Sequence, residues 1–322
     1  MKTTVLIVSS LSDVHARAVM TALAAHSCRV ELLDLSEFPQ QLALSMAFRN
    51  GLRQFRLDRV GGGSFDLSEV RAAWWRRPQP FKPPASLKNS SDHRLAFSES
   101  GTAFQGMYQS LDAFWINDPM RDQAASHKPW QLTVAQQVGL EIPETLMTNH
   151  PEAARAFWAA CNGDAIYKQF LALPDSWSET RRVGQQEETL TENIRLCPVI
   201  FQKRIPATAD LRVTIIGDEI FAASTACEEH DYDVDVRVNL AARYAAHKLP
   251  EDVERKLVAL MRRLGLVYGA IDLRLTDDGR YVFLEVNPAG QFLYVENATG
   301  QPISAALAAH LAEGKSLAAT AS

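Results

Sequence analysis

The sequence predicts an α/β chain, α+β in part: a doubly wound opening unit, a small central unit and a closing unit of antiparallel hairpins. Three observations carry this. The chain opens strand–helix–strand. Helix and strand signals then alternate over short intervals, and the last third holds two hairpin signatures. With 322 residues, 47% hydrophobic and 22% charged, the length suits two or three domains. We set the boundaries at 1–117, 118–197 and 198–322.

In the opening unit TTVLIVSS is a short apolar run suited to a buried strand. SDVHARAVMTALAAH follows with Val14, Ala18 and Leu23 at helical spacing, and CRVELLDL is a second strand. No GxGxxG stands at the first turn, which disfavours a nicotinamide site. Gly61–Ser64 reads as a turn, and RAAWWRRP ends another strand. At Asn117-Asp118-Pro119 the pattern changes. HKPWQLTVAQQVGL is a helix stopped by Gly139, IPETLMT a strand, and Pro151 opens a helix that Asn162-Gly163 ends. AIYKQFLAL is a strand leading into a polar segment. In the closing unit LRVTII and EIFAAS flank a Gly217-Asp218 turn. The helix PEDVERKLVALMRRLG carries the stripe Val253, Leu257, Leu260, Met261 and Leu264. GAIDLRLTDDGRYVFLEVN is the second hairpin, PISAALAAHLAEG the closing helix, and the tail after Lys315 reads as frayed.

Composition excludes several classes. The net charge of -5 gives no global case for nucleic-acid binding. Cys28, Cys161, Cys197 and Cys227 are scattered, as reduced thiols of a reducing compartment would be. The start lacks the features of a signal peptide, and no apolar run is long enough to span a membrane, so a cytoplasmic protein is expected. His15, His93 and His230 have no partner spacing that demands catalysis and read as surface or packing residues.

The second hairpin holds the chemistry. A two-residue turn at Asp278-Gly279 pairs Asp277 with Arg280, and counting outward sets Asp272 opposite Glu285. Asn287 shares their face, while Leu273, Leu275, Val282, Leu284 and Val286 form the core face. Two opposed carboxylates repel unless a cation, a shared proton or outward splaying intervenes. Two acids and an amide supply only hard oxygens, which suits Mg²⁺ shared with phosphates; a solvated polar face is the other reading. Candidate phosphate-binding cations are Lys128, Lys168, Arg212 and Arg237. Lys168 interrupts an apolar strand, where it is either a ligand contact or an edge-strand lysine that blocks aggregation.

In their order, these residues resemble the ATP-grasp superfamily from about Asn117 to His310: first lysine, strand lysine, hinge, D-x-R hairpin, R-x-N, then D…E-x-N. AAWWRRP, IND, KPWQLTVAQQVGLEIPETLMTN and EVNPAGQFLYVE look like the microviridin-type ligases (graspetide synthetases) that cross-link ribosomally made peptides. VRVNL and GAIDLRL are also similar to the glutamate-ligase branch. The resemblance implies an ATP-grasp fold behind a pre-ATP-grasp domain, and an enzyme that makes an acyl phosphate from ATP. It implies ATP with two Mg²⁺ ions as cofactors, and a precursor peptide with a leader segment as partner. Nucleic acid and membrane are not expected as partners; a homodimer is.

The same resemblance implies roles for single residues. Lys128 and Lys168 would contact ATP phosphates, and the hinge Gln202, Lys203, Arg204 and Ile205 would line the adenine pocket. Lys203 stands where the family commonly has an acid, a departure at the adenine or ribose contact. Arg212, Arg237 and Asn239 would lie near the γ-phosphate and acceptor carboxylate; Asp272, Glu285 and Asn287 would hold magnesium; residues 174–183 would be the lid. Trp74, Trp75, Arg76 and Arg77 would contact the peptide or else serve as core and interface residues. Two other readings stand beside this one: a glutamate-ligase-like amino-acid or peptide ligase, and a catalytically silent nucleotide-binding module.

Overall fold

The structure, a computed structural model, describes residues 3–170, 180–183, 191–227 and 243–314. The first unit contains β1 (Thr4–Val8), α1 (Val14–Leu23), β2 (Arg29–Leu33), β3 (Leu42–Arg49), β4 (Leu52–Arg59), β5 (Ser64–Asp66), β6 (Val70–Trp75), α2 (Ser90–Ser110) and β7 (Phe114–Ile116). β1, β2, β6 and β7 form a parallel sheet in the order β2-β1-β6-β7. All five residues of β1 are buried, which is why its sequence runs apolar without alternation. Asp13 caps α1 by accepting from His15 N and Ala16 N at 2.8 and 2.9 Å.

β3, β4 and β5 form a second, antiparallel sheet that sequence reasoning did not find. Its alternation is blurred because Met46, Phe48 and Leu52 are exposed while Phe55 and Leu57 are buried. Gly61, Gly62 and Gly63, all at positive φ, turn between β4 and β5 as expected. α2 was also missed; it buries only Phe104, Met107 and Tyr108 over its length, too sparse a stripe to register as a period.

The middle of the chain holds α3 (Pro119–Ala125), α4 (Lys128–Gln137), β8 (Thr145–Thr148), α5 (Pro151–Ala160), β9 (Ala165–Lys168), β10 (Arg181–Arg182) and β11 (Val199–Lys203). Its antiparallel sheet runs β10-β9-β11-β8. α4 ends before Gly139, at φ +78°, and Pro151 opens α5, as the sequence predicts.

The last part holds β12 (Ala209–Ile216), β13 (Glu219–Ala226), β14 (Ala245–Ala246), α6 (Glu251–Leu264), β15 (Tyr268–Leu275), β16 (Tyr281–Asn287), α7 (Leu293–Thr299) and α8 (Ile303–Glu313). The strands form one antiparallel sheet, β14-β13-β12-β15-β16. The predicted stripe of α6 is buried against Leu211, Val213, Ile215, Ile271 and Leu273 on one face of that sheet. α8 covers the other face of that sheet: Ile303, Leu307 and Leu311 share one core with Ile216, Phe221 and Tyr268 of the sheet and with Val5, Ile7, Val19 and Trp74 of the first unit. Among the described residues no helix is long and apolar enough to cross a membrane.

Candidate active site

The second hairpin departs from expectation twice, and the two departures cancel at the site. The turn is not a two-residue loop. Thr276 N donates to Arg280 O at 3.0 Å and Gly279 sits at φ +81°, so Asp277-Asp278-Gly279 form a three-residue loop. Leu275 therefore pairs with Tyr281 and Leu273 with Phe283. A bulge between Asp272 and Leu273 then restores Asp272 opposite Glu285 and sets Ala270 opposite Asn287. Phe283 and Val286 both enter the core, so Leu284 and Glu285 between them both turn away from it. This corrects Leu284, expected in the core: it is half-buried beside Glu285 on the open face. Its neighbours Val282 and Phe283 are both buried.

Cations meet this acid pair. Arg212 on β12 is the register partner of Asp272, and its Nη1 donates to Asp272 Oδ1 at 2.7 Å. Lys128, at the start of α4, donates from Nζ to Glu285 Oε2 at 2.6 Å. Burial raises the Asp272 carboxyl above the usual range, Glu285 adds to this, and Arg212 opposes it. Burial works against the Arg212 charge, yet Asp272 holds the guanidinium net above its ordinary value. Tyr294 lies beside Arg212 and packs edge-on against Tyr244 at 5.0 Å between centroids, an aromatic pair joined across 50 residues that no local pattern marks.

Asp210-Leu211-Arg212 on β12 and Asp272-Leu273-Arg274 on β15 repeat one motif in antiparallel strands. Asp210 therefore faces Arg274 just as Arg212 faces Asp272. Arg274, missed by sequence reasoning, donates from Nε to Asp210 Oδ1 at 2.9 Å and from Nη1 to the Ile205 carbonyl at 2.8 Å. The D-x-R repeat was the available signal.

The expected hinge residues lie at and just after β11. Gln202 is buried and donates to Thr145 Oγ1 at 3.0 Å. Lys203 is exposed and pairs with Glu144 at 2.9 Å, and Arg204 pairs with Asp164 at 2.6 Å. Ile205 presents its carbonyl to Arg274. β9 is not an edge strand, since it lies between β10 and β11, but the two residues of β10 pair with Tyr167 and Ile166 and stop short of Lys168. Lys168 is opposed to Ile200, which is opposed to Met147; Ile166 is opposed to Gln202. Directly opposed residues share a face, and Met147 packs against the core of the last sheet. So Lys168, Ile166, Ile200 and Gln202 are on the face turned towards the last part of the chain.

The structure thus joins Asp272, Glu285, Arg212 and Lys128 by direct contact, with Asn287 two residues beyond Glu285 and on the same strand. Asn287 Oδ1 accepts from Ala289 N at 3.0 Å and keeps a second lone pair. Arg237 and Asn239 lie outside the described residues, as does most of the 174–183 segment. Trp74 and Arg76 are buried, and Arg76 contacts residues 289–290, so both are core and interface residues rather than peptide contacts.

The donor set fits magnesium: two carboxylates and an amide, all hard oxygens. Among the described residues no three His, Cys, Asp or Glu side chains converge, so such an ion would take its remaining ligands from phosphate and water.

A parallel-sheet unit followed by two antiparallel sheets, with Lys168 on the middle sheet and an Asp/Glu/Asn hairpin met by Lys128 in the last one, has the architecture of an ATP-grasp ligase. Residues 4–123 match the family model described as the MvdD pre-ATP grasp domain. The chain is 30% identical to the macrocyclase MdnC of Microcystis aeruginosa MRC, solved bound with precursor peptide MdnA, over 97% of this chain and 99% of that one, with a TM-score of 0.86. MdnB of the same organism is 28% identical over 97% and 99%, with a TM-score of 0.82. A RiPP-associated ATP-grasp ligase of Chryseobacterium gregarium, solved with ADP and a leader and core peptide, is 25% identical over 98% of each chain, with a TM-score of 0.89. The chain belongs to the family of ATP-grasp ligases that contains these microviridin-type peptide macrocyclases.

Proposed function

We propose that this enzyme uses ATP and magnesium to activate an Asp or Glu side chain of a ribosomally made precursor peptide and to close ω-ester or ω-amide rings in it. The observation that carries this is the opposed pair Asp272 and Glu285, flanked by Arg212 and Lys128. The full-length likeness to macrocyclases solved with precursor peptide supports the substrate class. The work divides over residues 1–117, 118–197 and 198–322, with the nucleotide between the last two.

Phosphoryl transfer to a carboxylate brings two anions together, so cations and alignment carry the catalysis. Asp272, Glu285 and Asn287 would hold two magnesium ions, whose chemistry is to offset charge on the phosphates. Lys128 leaves Glu285 and Lys168 leaves the strand face to reach phosphate oxygens; the Gln202–Ile205 hinge lines the base, and half-buried Leu284 offers it an apolar surface. Arg212 orients the acceptor carboxylate, with Arg237 and Asn239 beside it. The carboxylate oxygen attacks the γ-phosphorus and ADP leaves. A Ser or Thr hydroxyl or a Lys amine then attacks the acyl carbon, gives up its proton, and phosphate leaves.

The test is to mix the protein with ATP, magnesium and the peptide of a neighbouring precursor gene carrying its leader, and to weigh the product. Loss of one water per ring, with stoichiometric ADP, is expected. ADP formation that depends on a free amino acid, with added peptide mass, would replace this reading with the glutamate-ligase one. Nucleotide binding without any turnover would leave a silent module.

A further inference from the structure

Directly after the metal hairpin, residues 286–291 form a strap whose every carbonyl is held. Gln131 Nε2 donates to Val286 O at 2.8 Å, and Val286 N donates to Gln131 Oε1 at 3.1 Å. Gly290 N donates to Asn287 O at 3.2 Å. Asn117 Nδ2 donates to Pro288 O at 3.1 Å. Arg76 Nη1 donates to Ala289 O at 2.6 Å and to Gly290 O at 2.8 Å. Arg77 Nε reaches Ala289 O at 3.1 Å, Tyr268 Oη reaches Gly290 O at 2.8 Å, and Arg212 Nη2 reaches Gln291 O at 3.2 Å.

Arg76 is the part of this arrangement that comes from the first unit. Its side chain is fully buried, pairs with Asp13 at 3.1 Å and lies over the Trp74 ring at 5.8 Å. A guanidinium is costly to bury for packing alone. Here its charge is spent on two carbonyls of the segment that begins at Asn287 and on the acid that caps α1. Gly290 has no room to adjust: a Cβ there would stand 2.3 Å from Ala270 Cβ, on the residue opposite Asn287.

We propose that Arg76 is a positioning residue for the magnesium site, acting through Ala289 and Gly290 to fix Asn287 and Glu285 and so tying the first unit to the metal. This rests on the assignment of Asn287 as a metal ligand. Residues that orient ligands from behind alter metal affinity while leaving the other ligand contacts in place.

The experiment measures Mn²⁺ binding in the presence of ADP by electron paramagnetic resonance, and ADP binding without metal by calorimetry, for Arg76→Lys, Tyr268→Phe and Asn287→Ala. Tyr268→Phe removes only the hydroxyl on Gly290 O and keeps the packing, so it decides if Arg76→Lys does not fold. Arg76→Lys and Tyr268→Phe should each weaken Mn²⁺ binding by roughly tenfold or more while metal-free ADP affinity stays within about twofold. If Asn287→Ala weakens the metal and the positioning variants do not, the proposal is overturned. A parallel fall in metal-free ADP affinity overturns it too, since that reports general loosening. If Asn287→Ala leaves Mn²⁺ binding untouched, the metal assignment itself has failed, and this inference with it.

Discussion

Asp272 and Glu285 stand in register with their charges met by Arg212 and Lys128, an arrangement that a fold would not choose for stability alone. Among the described residues Asp272 meets Arg212 and Glu285 meets Lys128, and on the proposed reading both cations would turn to phosphate when the nucleotide arrives. Asp272→Asn and Glu285→Gln should therefore keep the fold and lower ring formation by on the order of a hundredfold or more, read by peptide mass and ADP release. Wild-type rates in either variant would remove the metal assignment. Lys168→Ala should raise the ATP requirement by roughly tenfold or more, because a charge-assisted contact to phosphate is lost. An unchanged ATP affinity would return Lys168 to a strand residue without a nucleotide role.

At the scale of the element, the hairpin explains what the sequence could disclose. Asp272 and Glu285 were found opposite one another by counting from a two-residue turn. The real loop has three residues, and the bulge at Leu284 makes up the difference. The identity of the pair was legible because acids on a predicted hairpin are conspicuous; the bulge was not, because no residue type announces it. Arg76, Asn117 and Gln131 were invisible as site residues for a related reason. They act on backbone carbonyls, which every residue carries, so nothing in the sequence marks the acceptor. The strand that carries Gln202 and Lys203 was legible, but the contact to Ile205 was not, since Arg274 reaches it from a strand 69 residues away. The crowding at Gly290 gives a direct check: Gly290→Ala should cost about 1–3 kcal/mol in urea denaturation, the range for overpacking. A neutral result would mean that the strap yields.

The whole molecule joins its first and last parts around His15. The ring is buried, lies edge-on to Phe292 at 4.8 Å and faces Arg76, Arg77 and Arg212, with Asp13 opposing them. Burial first, and then the arginines, push its pKa down from 6.5 to about 4. The folded state thus favours the neutral ring. The contribution to stability is complete above pH 6.5 and is lost progressively as pH falls from there towards 4. Denaturation curves at pH 7.5 and pH 5 should show this loss, and His15→Asn should flatten the slope. An equal slope in that variant would assign the acid sensitivity to other groups.

α8 comes last among the described elements yet fills the core beside β1 and α1. Any chimera that exchanges the opening unit between two of these ligases must therefore keep Ile303–Glu313 matched both to that unit and to the last sheet. A cut made only near residue 117 would strand Leu307 and Leu311 against a foreign surface and leave Val5, Val19 and Trp74 uncovered. Recombination in this architecture has two seams, one near residue 117 and one before residue 303.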